Sequence, residues 1–399
     1  DDMEIIISVY SPTGKYTAKQ ITPNMETMMK AQKRFLGPIN STKKYAILLY
    51  LSDMKAKDAK GFGALEHPTS TTVVMPEMMG LEMLQEQLKD VVSHEFFHIV
   101  TPLTIHSNEI QYFDFNNPQM SEHLWMYEGV TEYFANLFQV NQGLIDEKEF
   151  FERMAGKIAQ SRQMNDNMSF TKMSKNVLNP PYKEQYLNVY QKGALIAMCM
   201  DILIRENSNG QKGILNLMQE LAKEYGTTKA FKDEELFDKI TALTYPAVGE
   251  FLKNHVAGET PIPYEQYFAK MGVTEATIEI AGNPFLKGQT QPYITVNPAT
   301  KEIMILPDTE LNVFMTTLGL KNNDTLLAFN GKDYNLDNIY DLIMASINWK
   351  DGDAMTVKFK RDGKEQTVKG KVVMPKEKQD GYQATDDTKK TVREAWLRG

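Results

Sequence analysis

Two histidines four residues apart, with a glutamate between them, stand in the stretch Val91-Val92-Ser93-His94-Glu95-Phe96-Phe97-His98-Ile99-Val100. On a helix His94 and His98 lie one turn apart on one face, so both imidazoles can reach one ion, and Glu95 faces the same cleft. This is the His-Glu-x-x-His spacing of a zinc site, with Glu95 placed to take a proton from water. Apolar residues flank the trio on both sides, so the helix is expected to be buried almost all round. Two imidazoles and a carboxylate in such a place cost several kcal/mol unless they are paired or coordinated. A metal meets that cost.

A catalytic zinc needs a third protein ligand and an open position for water. The next helix offers Glu122, Glu128 and Glu132. Glu128 sits mid-helix on a largely apolar segment, with Gly129 after it allowing a close helix approach, and is assigned as the third ligand. Glu132, one turn further, suits accepting the free N–H of a ligating histidine, which would fix its tautomer; the alternative is a solvated helix-face carboxylate. His123 is the alternative to Glu128, although its neighbours are polar.

The elements that must hold these groups follow from periodicity. Glu4 to Val9 and Tyr45 to Leu51 read as strands, with a helix over Asn24 to Phe35 between them, and Gly61 to His67 leads into a strand at Thr71 to Met75. Residues 1–80 are therefore expected to form a β-rich N-terminal lobe. From Leu81 the period turns helical: one helix ends before Pro102, and others cover Glu122 to Val140, Asn188 to Arg205, Gln211 to Tyr225, Asp233 to Leu243 and Ala247 to Val256. Residues 81–281 read as a helical lobe carrying the zinc site. Beyond Gly282-Asn283-Pro284, short β runs alternate with turns at Asn330-Gly331, Asp351-Gly352 and Asp362-Gly363. These predict a separate small β-rich domain over 282–375, followed by a polar tail over 376–399 that is partly disordered. The fold class is α+β.

Composition bounds the remaining possibilities. Of 399 residues, 42% are hydrophobic and 24% charged, which places the chain in the globular class and not the disordered one. The net charge of −8 offers no global reason to expect nucleic acid or an anionic membrane. Cys199 is the single cysteine, so an intrachain disulfide and a thiolate metal site are both excluded. Apolar runs are too short for a membrane-spanning helix. The chain opens Asp1-Asp2 and reads as a trimmed mature fragment, so a periplasmic, cell-envelope or secreted location is favoured over a cytoplasmic one.

His-Glu-x-x-His followed by Trp125-Met126-Tyr127-Glu128-Gly129 resembles the gluzincin metallopeptidases, whose third ligand is the Glu of that second motif. The 29 residues between His98 and Glu128 are similar to the spacing in the glycyl aminopeptidase family that carries a C-terminal PDZ domain. Gly63-Ala64-Leu65-Glu66-His67 resembles that family's Gly-Gly-Leu-Glu-His, Tyr190-Gln191-Lys192-Gly193-Ala194 its Tyr-x-Lys-Gly motif, and Phe251 to Gly272 its end-of-domain helix and turn. The resemblance implies a thermolysin-like catalytic domain with one zinc ion per chain. It also implies peptide substrates with a free N-terminus: Glu66 would hold the substrate amine, Gly63 and Ala64 would line the substrate's backbone, and Tyr190 would stabilise the oxyanion. Ala64 stands where relatives often have Gly, which narrows the space beside the substrate. Leu318-Gly319-Leu320-Lys321-Asn322-Asn323-Asp324 and Phe329-Asn330-Gly331-Lys332 resemble a PDZ fold, implying either a peptide or protein ligand or a purely structural role. The expected activity is zinc-dependent removal of N-terminal residues from peptides. Two other readings fit the same residues: a zinc endopeptidase in which Glu66 is incidental, and a non-catalytic peptide-binding scaffold that uses the PDZ-like domain.

Overall fold

Alternating apolar residues in the opening stretch build a small sheet from β1 (Glu4–Tyr10), β2 (Lys44–Ser52), β3 (Gly63–His67) and β4 (Ser70–Pro76), in the order β1-β2-β4-β3. In this computed structural model, residues 3–37, 42–53, 61–288 and 291–399 are described. β1, β2 and β4 run parallel, and β3 folds back antiparallel on β4 with Gly63 opposite Val74 and Glu66 opposite Thr71. A parallel pair needs a crossover, which α1 (Ala18–Leu36) supplies. It starts well ahead of the predicted Asn24, because Thr17 and Gln20 cap its first turn through a 2.9 Å bond from Thr17 N to Gln20 Oε1. Tyr45, Ile47, Leu49, Leu51, Val73 and Met75 are buried on one side of the sheet. There Tyr45 meets Phe96 edge-on at 5.0 Å.

Phe96 belongs to α2 (Leu81–Phe97), whose Leu84, Leu88, Val92 and Phe96 form a stripe spaced by fours and completely buried. The short α3 (Asn108–Gln111) follows, then a π-helical segment over Trp125–Val130 that runs into α4 (Thr131–Asn141). The expected single helix over Glu122 to Val140 is thus a shorter one entered through a wider turn. Next come α5 (Glu147–Arg162), α6 (Phe170–Lys175), α7 (Asn188–Asn207), α8 (Ile214–Glu224), α9 (Asp233–Leu243), α10 (Pro246–Phe251) and α11 (Tyr264–Lys270). α7 is the core of this bundle, with a continuous run from Lys192 to Arg205 buried. Among the described residues no helix is long and apolar enough to cross a membrane.

The chain divides into two compact units, one of Asp1–Met78, Gln85–Ala276 and Gly381–Gly399, the other of Met79–Leu84 and Thr277–Asp380. β5 (Val273–Ala281) leaves the first unit and pairs with β14 (Lys376–Ala384), which returns to it. The second unit holds the hairpin β6 (Leu286–Lys287) and β7 (Gln291–Pro292). Its main sheet has β8 (Ile294–Val296), β9 (Ile303–Ile305), β10 (Thr325–Phe329), β12 (Ala354–Arg361) and β13 (Lys364–Lys371) in the order β13-β12-β10-β9-β8, with β11 (Lys332–Asp333) paired to β10. α12 (Val313–Thr317) and α13 (Ile339–Ile347) complete it, around a core of Phe285, Phe314, Phe329 and Val357.

The expected polar tail over 376–399 is corrected by the structure. After β14, α14 (Lys390–Arg398) buries Arg393, Trp396 and Leu397 in the first unit. Trp396 lies among Phe150, Phe151 and Phe268, and its Nε1–H donates to Tyr133 Oη at 2.8 Å. Tyr382 of β14 adds to this cluster by stacking on Phe268 at 4.1 Å. Read along the chain these are a few apolar residues scattered through a charged stretch.

Candidate metal and catalytic site

His94, Glu95 and His98 are buried, and each offers a ligand atom within 4.8 Å of the others. The two imidazoles meet edge-on, ring centres 4.8 Å apart. His98 Nδ1 lies 3.1 Å from the Thr101 carbonyl oxygen, and His94 Nδ1 lies 2.8 Å from Glu132 Oε2. Both partners only accept, so both Nδ1 atoms carry a proton and Nε2 is the atom each ring leaves facing the candidate metal position. Those Nε2 atoms converge on Glu128 Oε2, at 3.2 Å from His94 and 3.7 Å from His98. The cluster calls for a positive charge among these atoms, which a second proton on His94 or a metal ion displacing that proton can supply. Ligand atoms around a tetrahedral ion with bonds of about 2.0–2.2 Å are roughly 3.3–3.5 Å apart. The donor set, two imidazole nitrogens and one carboxylate, therefore fits a zinc-type ion in both chemistry and spacing.

The electrostatics carry the same demand for positive charge. Burial alone would hold His94 neutral, yet its hydrogen bonds to Glu128 and Glu132 raise it to about 10. Glu128 is lowered: burial works against ionisation, but His94 and His98 outweigh it. Glu132 is held well below the usual carboxylate range, because the Lys157 ammonium and His94 overcome burial. Burial, reinforced by the Glu66 and Glu128 carboxylates and opposed by His94, pushes Glu95 up to about 7. One oxygen of Glu95, Oε2, is buried with no hydrogen-bond partner among the described residues. A buried carboxylate oxygen left open beside a candidate metal position is available to a substrate or a water.

Glu128 reaches the histidines because two helices touch backbone to backbone. A Cβ built on Gly129 would fall 2.5 Å from the Gly193 carbonyl oxygen and 2.6 Å from its Cα; one built on Gly193 would fall 2.9 Å from Gly129 Cα. The glycine of the Glu-Gly pair and the glycine of Tyr-Gln-Lys-Gly thus explain each other. The contact brings the first turn of α7 to the site, with the Tyr190 ring centre 5.7 Å from that of His94. Burial, together with Glu128, raises the Tyr190 phenol far above its ordinary range, so it stays protonated and able to donate. Its hydroxyl is 3.1 Å from that of Tyr186.

Glu66 is half-buried on β3, and its charge acts on Glu95 and His98. Ala64 is half-buried on the same strand, whereas Gly63 is exposed and a Cβ there would meet nothing within 4 Å. The free side of β3 has no strand partner among the described residues. His123, the alternative ligand, is engaged elsewhere: Nε2 donates to the Asp233 carbonyl at 2.9 Å and Nδ1 accepts from Trp125 at 3.0 Å.

Three residues at the site escape sequence reasoning. Lys157 comes from α5, a helix that was not read from the sequence. Its signal was Asp146, whose side chain accepts from Glu149 N, ahead of Phe150, Met154 and Ile158 at helical spacing. Tyr45 is buried on β2 with its hydroxyl unpartnered among the described residues, and burial with Glu95 and Glu66 raises it; nothing local marks it. Tyr186 stands one turn before Tyr190, a spacing visible only once that helix is known to face the site.

The fold is aminopeptidase-like. The structure matches that of an aminopeptidase N family protein from Idiomarina loihiensis with a TM-score of 0.61 at 19% identity, over 99% of this chain and 68% of that one. The sequence profile of the M61 glycyl aminopeptidase family matches residues 87–196, the stretch from α2 into α7 that holds His94, Glu95, His98, Glu128 and Tyr190. No curated protein matches the chain. Together the family match and the fold support a peptidase.

Proposed function

We propose that the protein is a zinc-dependent aminopeptidase. The observation that carries this reading is the convergence of the two histidine Nε2 atoms on Glu128 Oε2, beside a buried Glu95 oxygen without a partner among the described residues. His94, His98 and Glu128 would hold a zinc ion, which when bound would act as a Lewis acid on the scissile carbonyl and lower the pKa of a water from about 15.7 towards roughly 7. Glu95 takes the proton of the attacking water and passes it to the leaving amine. The Tyr190 hydroxyl donates to the oxyanion that develops on the carbonyl, a contribution worth on the order of a hundred- to a thousandfold in rate. Glu66 pairs with the free α-ammonium of the substrate, and the open edge of β3 at Gly63 and Ala64 accepts its backbone. Glu132 fixes the tautomer of His94. In the second unit we place a PDZ-like module with a peptide ligand or a docking role. The cell envelope or the exterior is the proposed location.

The test is a panel of aminoacyl chromogenic substrates assayed with and without chelator, and with the amine free or acetylated. Chelator-sensitive turnover of the free form alone is expected. Equal turnover of the acetylated substrate would replace the aminopeptidase with an endopeptidase, and protein that takes up no zinc and turns over none of the substrates would remove the enzyme altogether.

A further inference from the structure

Behind the histidines, three helices each present a pair of polar residues four apart. α2 contributes Asp90 and His94, α4 contributes Glu132 and Asn136, and α5 contributes Arg153 and Lys157. Residues four apart share a helix face, so the pairs lie in register as a seam. At one level Lys157 Nζ is 2.6 Å from Glu132 Oε1, and Glu132 Oε2 is 2.8 Å from His94 Nδ1. At the next level Arg153 Nη1 lies 3.3 Å from Asp90 Oδ1 and 3.4 Å from Asn136 Oδ1. Asn136 Nδ2 joins the levels with a 3.3 Å bond to Glu132 Oε1. Lys157 is well shielded, its side chain 12% exposed against 22% for Glu132, so this contact is more than a surface ion pair.

The two oxygens of Glu132 are therefore divided. One faces the histidine and the other is held by a cation. A carboxylate with a free oxygen can rotate, and a rotation of Glu132 would break its bond to His94 Nδ1, the contact that fixes the tautomer and the orientation of that ring. We propose that Lys157 is a positioning residue for the metal site: by holding Oε1, it keeps Glu132 turned towards His94 Nδ1, which fixes how that ring presents Nε2, and so sets how tightly the site binds zinc. This rests on the zinc hydrolase reading above. It concerns this chain's α5, whose contribution no motif in the sequence announces.

The test is a zinc competition titration against a chromogenic chelator, with thermal melting to verify folding. Groups behind a ligating histidine typically tune metal affinity by about ten- to a hundredfold. Lys157→Met is expected to weaken zinc binding by roughly that factor, and Lys157→Arg to recover most of it. In a Glu132→Gln background Lys157→Met should add less than about twofold, because its route to the metal is already cut. Should Lys157→Met fold poorly, Lys157→Gln gives the same comparison with a polar side chain retained. Wild-type zinc affinity in a folded Lys157→Met or Lys157→Gln protein would overturn the role of Lys157, as would full additivity with Glu132→Gln. Wild-type protein that binds no zinc would overturn the hydrolase reading itself and this proposal with it.

Discussion

The contact between Gly129 and Gly193 couples stability to the geometry of the site, and replacing Gly129 with alanine isolates it. The new Cβ would sit 2.4–2.6 Å from Gly193 backbone atoms, where ordinary contact begins near 3.4 Å. The two helices must therefore part by about 1 Å, and neither partner is a side chain that can swing away. Overpacking of this kind costs about 1–3 kcal/mol, here at the upper end because backbone meets backbone. Alanine returns about 1 kcal/mol of helix propensity, leaving roughly 2 kcal/mol of net destabilisation. At about 2 °C per kcal/mol for a unit of this size, the melting temperature falls by roughly 4 °C. The larger effect is on turnover. The parting helices carry Glu128 and Tyr190, and a displacement near 1 Å at a reacting centre can cost on the order of a hundredfold. Gly156 in α5 is the control, since a Cβ there meets nothing within 4 Å and its φ is not positive. Gly156→Ala should melt at or above the wild-type temperature with turnover intact. Paired melting curves and kcat/KM measurements decide the matter. A Gly129→Ala protein that melts and turns over like wild type would refute the idea that this approach positions the site.

Glu95→Gln should keep its zinc by metal analysis and lose about a hundred- to ten-thousandfold in kcat; wild-type-like turnover in it would sink the proposed mechanism. Tyr190→Phe should lower kcat with little change in KM, since its bond forms in the transition state, and a KM effect alone would reassign it to substrate binding. Zinc binding should tighten as pH rises towards 10. His94 is protonated below about 10 in the protein alone, so the metal displaces a proton and each released proton gives about tenfold per pH unit. Calorimetry in buffers of different ionisation enthalpy measures that release, and a pH-independent affinity between 6 and 9 would contradict it. Trp396→Ala should cost about 3–5 kcal/mol through the cavity it leaves and through the lost bond to Tyr133, which itself donates to Asp201 at 2.8 Å; unchanged melting would show that α14 is dispensable.

Much of the site was legible because its logic is local. A helix repeats every 3.6 residues, so His94 and His98 share a face whatever surrounds them, and the apolar spacing around them identifies that helix. The strands at Tyr45 and Thr71 show equally local patterns, extended by only a residue or so in the structure, and the α9 helix runs from Asp233 to Leu243 as its spacing predicts. Glu128 could be chosen over Glu122 for its apolar neighbours, and it is the carboxylate that faces both histidines.

What the sequence could not decide is set by what meets across space. Lys157 matters because α5 packs its Arg153 and Lys157 face behind α2 and α4, yet the Asp146 cap and the Phe150, Met154 and Ile158 stripe that mark this helix say nothing of what its polar face meets. The last residues of the chain look like a polar tail because Tyr382, Val392, Trp396 and Leu397 are scattered among charged residues, and only the aromatic cluster of the first unit gives Tyr382 and Trp396 a place. The π-helical turn that carries Glu128 accompanies the backbone contact between Gly129 and Gly193, residues far apart in the chain. The sequence by itself determined which groups could bind a metal, because spacing along one helix is covalent. The tertiary structure alone decided how they are oriented and what holds them there, because those depend on helices brought together by folding.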